Sequence, residues 1–132
     1  MCIRDSTPLV EVSGNFTRDG GYSAAQRLAA ALQLTPESGR KPPCVFAVTD
    51  VMAIGAIAAW REMGLSVPRD VCIAGFDDIP TLRDHTPSLS TVALPLEEIG
   101  ARAVDLALRL DADDLRERVP GTVILRDSTH LG

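Results

Sequence analysis

Long hydrophobic runs are missing from this 132-residue chain. No stretch approaches the roughly 18 consecutive apolar residues that a membrane helix needs. No membrane span is therefore expected; residues 1–15 also lack a basic end followed by an apolar core, which means little if the chain begins mid-protein. Basic charge is scarce: 13 Lys and Arg face 18 Asp and Glu, for a formal net charge of −5. Duplex affinity rests on cations that neutralise phosphates, so any contact with DNA has to come from another segment. Cysteine is limited to Cys2, Cys44 and Cys72, whose spacing matches no zinc site. The last two lie in apolar, strand-like runs, which points to reduced, core-packed thiols of a cytoplasmic protein.

Catalytic signatures are missing as well. There is no Gly-Xaa-Ser-Xaa-Gly elbow, no Gly-Lys-Ser/Thr phosphate loop and no Gly-Xaa-Gly-Xaa-Xaa-Gly run. His85 and His130 stand alone in turn or terminal settings, and Gly20-Gly21 reads as helix-entry backbone. The chain is therefore expected to be no enzyme and to need no cofactor or metal.

What the chain does contain is a 45% apolar composition, enough for one globular domain with a real core. Residues 8–13 alternate weakly and read as a strand. Thr17 is placed to cap a helix that runs to residue 34, with Tyr22, Ala25, Leu28, Ala29 and Leu32 on one stripe. A buried strand is expected over residues 44–48, then a helix over residues 51–63 with Asp50 as its N-cap. That helix is apolar nearly all round, so it needs two partners: one face for the sheet and one for a second subunit. Residues 71–74 form a third buried strand that opens at Gly75, a helical turn follows over residues 79–84, and residues 90–94 form a fourth strand. Leu96, Ile99, Ala103, Leu106 and Leu110 mark one face of a last helix behind Pro95. Residues 119–126 read as a final strand. The order predicts an α/β fold whose mostly parallel sheet is covered by helices on both faces.

Three strand ends then bring polar groups to one edge of the sheet, where open α/β sheets bind ligands. They carry Phe16, Thr49 with Asp50, and Asp77 with Asp78. Carboxylates accept paired hydrogen bonds from hydroxyls and an aromatic ring covers an apolar sugar face, so the set suits a small polyhydroxylated ligand. Asp50 reads equally as a helix cap, and Asp77 as a turn cap. Strand alternation would send Asp77 and Asp78 to opposite faces, which excludes a convergent acid–base pair.

Residues 46–56 (FAVTDVMAIGA), 64–80 (GLSVPRDVCIAGFDDIP) and 89–100 (LSTVALPLEEIG) resemble the C-terminal part of LacI/GalR-type bacterial transcription regulators, and nearly all of residues 8–132 follows that pattern in order. The resemblance implies a periplasmic-binding-protein-like effector domain whose two lobes close on a small molecule, commonly a sugar or a nucleobase. It also implies a homodimer, here through the face of the helix over residues 51–63, with DNA bound only by an N-terminal helix-turn-helix outside this chain. By the same resemblance Asp77 matches the effector-contacting acid, Phe16 matches an aromatic of the pocket, and Thr49 stands where Asn is usual. Residues 1–6 read as a non-native leader, residues 7–93 and 118–132 as the second lobe, and residues 95–112 as a crossover helix that packs on the first lobe. The expected function is effector sensing in a cytoplasmic repressor. A periplasmic sugar-binding protein of a transport system shares the fold and is the alternative.

Overall fold

Apolar stripes at helical spacing and short β-branched runs organise the chain into three α-helices and four short strands. They are seen in a computed structural model that describes residues 9–108 and 116–130. Helix α1 spans Arg18–Ala31, strand β1 Cys44–Phe46, α2 Asp50–Glu62, β2 Cys72–Ala74, β3 Thr91–Ala93, α3 Leu96–Leu108 and β4 Thr122–Ile124. Short 3-10 turns occupy Pro80–Arg83 and Asp127–Thr129. The readings of residues 1–8 and 109–115, including the leader and the Leu110 end of the last helix, lie outside the described residues.

Strands β1 and β2 pair in parallel, with Val45 opposite Ile73. Parallel bridges from Ala74 to Ser90 and from Asp77 to Ala93 carry the β2 segment onto β3. Strand β4 then closes the other side of β3 in antiparallel register. The mostly parallel sheet is as the element order implies, and β4 is its antiparallel member.

The core lies between α1, α2 and β2. Trp60, Val71 and Ile73 are fully buried in it, and Ala25, Leu28 and Ala29 of α1 complete it. The Trp60 indole N–H donates to the Ala25 carbonyl at 3.1 Å, tying the two helices together. They cross closely because glycines meet backbone: a Cβ on Gly21 would strike Met52, and one on Gly55 would strike Arg18. Tyr22 donates to Glu62 at the rim of the same crossing.

Four expectations need correction. Residues 9–13 form no strand: they make no ladder with β1, and Leu9 is 83% exposed. In consequence β1 is an edge strand rather than a buried one, its described span stops at Phe46, and Cys44 is exposed where a core thiol was expected. The second apolar face of α2 is not left for another subunit, because α1 covers it within the chain, leaving only Val51 and Met63 as exposed apolar positions on that stretch. Finally, Thr49 and not Asp50 is the N-cap of α2: the Thr49 hydroxyl accepts from the Met52 amide at 3.3 Å, and Asp50 is the first helical residue.

Candidate functional site

Gly75-Phe76-Asp77-Asp78 follows β2 directly, so the chain leaves the sheet with two acids in a tight bend. Gly75 is required there, since a Cβ would collide with the Asp50 carboxylate. Asp77 and Asp78 both take positive φ, 113° and 53°. For a non-glycine residue that costs about 1–3 kcal/mol and persists only where neighbours impose it. Strand alternation therefore does not separate the two acids, because neither is in a strand. Their surroundings separate them instead.

The imposing contacts come from β3 and α2. The Asp77 amide donates to the Val92 carbonyl at 3.0 Å. The Asp78 amide donates to the Thr91 hydroxyl at 3.3 Å, and the Ile79 amide to the Asp50 carboxylate at 3.0 Å. Asp50 is fully buried and also accepts from the Thr91 hydroxyl at 2.6 Å, while its own amide donates to the Phe76 carbonyl at 2.9 Å. With both carboxylate oxygens engaged, Asp50 is a brace between α2, the bend and β3. It has no surface to offer a ligand, which corrects its reading as a contact residue.

Asp78 pairs with Arg126, whose Nη2 lies 2.7 Å from the carboxylate, and both side chains are less than a fifth exposed. Asp77 differs: among the described residues its carboxylate accepts no hydrogen bond, and it is half-buried. Burial pushes the Asp77 carboxyl above the usual carboxylate range, and the Asp50 charge adds to the shift. Asp77 is thus a half-buried acid in a strained bend whose carboxylate faces solvent rather than another described side chain.

The remaining expected residues are placed as follows. Thr49 is half-buried, and its oxygen, already accepting from the helix, retains an O–H to donate. Phe16 sits at φ 59° and is 71% exposed. It lines an apolar cleft of about 850 Å³ between α1, β1 and residues 9–14, and that cleft contains none of Thr49, Asp50 or Asp77. Phe16 and Asp77 thus do not share this cleft. Two aromatics went unnoticed in the sequence: Phe46 and Phe76 stack edge to face with centroids 6.5 Å apart at the strand ends. The signal was there, since Phe46 ends the β1 run and Phe76 follows the Gly75 that closes the next one. Arg126 was missed because nothing in its local sequence marks a partner 48 residues away.

A family profile for the periplasmic binding protein-like domain matches residues 5–129. The chain belongs to that family, in the form found as the effector-binding domain of LacI/GalR-type regulators. It is 40% identical over 104 residues to the HTH-type transcriptional repressor PurR of Edwardsiella ictaluri, covering 77% of this chain and 28% of that protein. Among solved structures it superposes on a LacI family transcriptional regulator from Arthrobacter sp. FB24 in complex with lactose. There the TM-score is 0.73 at 28% identity, over 90% of this chain and 44% of that one. A LacI family regulator from Enterococcus faecium with bound ribose matches at TM-score 0.69 and 28% identity, over 89% of this chain and 42% of that one. The chain thus spans less than half the length of each of these relatives. Among the described residues no helix is long and apolar enough to cross a membrane.

Proposed function

We propose that this chain is the effector-sensing part of a cytoplasmic, repressor-type DNA-binding regulator that responds to a small sugar-like ligand, without catalysis. The single observation that carries the reading is the Asp77 carboxylate, without a partner among the described residues, at the C-terminal end of a parallel strand, where such sheets bind ligands. An acid of this kind accepts two hydrogen bonds from vicinal hydroxyls. Thr49 adds a donor and Phe16 an apolar wall, while Asp50 holds the bend rather than touching the ligand. Residues 7–93 and 118–132 act as the second lobe, and α3 belongs to a crossover that packs on a first lobe outside this chain. Effector binding shifts the closure equilibrium of the two lobes and so the geometry of a homodimer. DNA is contacted only by an N-terminal domain outside the chain.

The reading is tested on the product of the complete reading frame, titrated by calorimetry with D-ribose and lactose and then a panel of hexoses and nucleobases. Asp77→Ala is expected to weaken the binding ligand by about tenfold or more, the usual effect of losing hydrogen bonds to a charged group. Unchanged affinity would remove Asp77 from the site. A signal peptide upstream in place of a helix-turn-helix would move the protein to the solute-binding class. The 132-residue chain alone is expected to bind these sugars no tighter than millimolar, because half of the crevice is supplied elsewhere.

A further inference from the structure

We propose that Arg126 is the positioning residue of the bend: by fixing Asp78 it holds the backbone that presents Asp77. The proposal rests on the reading of Asp77 as the effector contact. Asp77 and Asp78 occupy positive φ in succession, a conformation that neither acid favours alone. The amide contacts from Thr91, Val92 and Asp50 anchor this bend through its N–H groups. The Asp78 side chain provides one further anchor, and it leads only to Arg126.

Arg126 is itself rigidly placed. Its amide donates to the Ser90 hydroxyl at 2.8 Å, and its carbonyl accepts from the same hydroxyl at 3.1 Å. Its guanidinium then forks, with Nη1 donating to the Leu89 carbonyl at 2.8 Å and Nη2 to Asp78 at 2.7 Å. One planar group thus bridges β3 to the bend. The next turn fastens the same segment to β2, since the Ser128 hydroxyl donates to the Ile73 carbonyl at 2.6 Å and accepts from the Ser90 amide at 2.8 Å. The strut is therefore fixed at the sheet end and bears on the acid next to Asp77. A lysine ammonium, being a point donor on a flexible stem, does not reproduce a fork that spans two acceptors.

Amide hydrogen exchange by NMR on the 132-residue chain tests the proposal, with Asp77 protection read as a ratio to that of Ile73 in the core. Arg126→Met is expected to lower the ratio by about tenfold or more, and Arg126→Lys to recover only part of it. Removing the arginine alone strands the Asp78 charge, so the double variant Arg126→Met with Asp78→Asn separates stability from positioning. It is expected to regain Ile73 protection yet keep the low ratio. If either variant keeps the ratio within about twofold of wild type, the proposal is overturned; if Arg126→Met does not fold, the double variant decides. The effector reading fails by a different result, unchanged sugar affinity of Asp77→Ala, so the two failures are distinguishable.

Discussion

Helices α2 and α3 are similarly apolar, yet they end in opposite states. In α2, nine of its residues are buried, and the stripe of α1 meets it across paired glycines. In α3, of equal length, no residue is buried, and Leu96 is 64% exposed. The amphipathic pattern of α3 is the clearer of the two on paper. Periodicity therefore announces that a helix has a face to bury, but only the rest of the fold says whether the partner lies in the same chain. The same contrast holds at the strand ends, where the Asp50 carboxylate has its partners in the chain and that of Asp77 has none among the described residues.

The strongest way to break this contrast is to attack the side that carries the stability. Trp60→Ala removes the largest fully buried side chain and leaves the Ala25 carbonyl without its indole donor. A loss of about 3–5 kcal/mol is expected, which is a large share of the stability of any domain of this size. Urea unfolding followed by circular dichroism measures it. A loss below about 1 kcal/mol would mean that the α1–α2 contact is not the core and that the two regions do not differ in the way described.

How much of this was legible beforehand follows the range of each interaction. The Thr17 cap, the α1 stripe and the turn after Ile79 are local patterns, and the sequence shows them directly. The parallel character of the sheet follows from helices long enough to cross over. What escaped is long-range or competitive. Thr49 and Asp50 stand side by side with similar capping ability, and the long-range donors that turn Asp50 inward, the Ile79 amide and the buried Thr91 hydroxyl, lie 29 and 41 residues on. The strand read into residues 9–13 failed because alternation shows which face a strand would bury and not whether a neighbour accepts its backbone. Arg126 was invisible for the same reason: its partner is fixed by the fold rather than by spacing.

A smaller effect sharpens the contrast between the two acids. Burial and the Asp50 charge raise the folded-state pKa of Asp77, so folding favours the protonated form. That contribution is fully present below the unfolded-state pKa of about 3.9 and is lost as pH rises through the folded-state value. Asp77→Asn, which also tolerates positive φ, removes the dependence. The variant is expected to match wild type near pH 3 and to exceed it slightly at pH 7, the gain being small because solvent screens the carboxyl. Unfolding midpoints between pH 3 and 7 check this. A variant less stable than wild type at pH 7 would show that the Asp77 carboxylate has a partner in the chain, and the contrast with Asp50 would fall.

The smallest expected effect tests the other side of the helix comparison. Leu96→Gln with Ala103→Gln replaces two exposed positions on the stripe of α3 while keeping straight-chain helix formers. In the 132-residue chain the pair should change stability by no more than about 0.5 kcal/mol, since neither side chain leaves a packed site. A buried leucine is worth about 1.5–3 kcal/mol relative to an exposed one, so a loss of that size would place the α3 face against the chain itself. The same substitutions in the product of the complete reading frame should cost that larger amount if a first lobe covers the helix. The difference between the two measurements isolates what the absent surface contributes to α3, independently of any ligand.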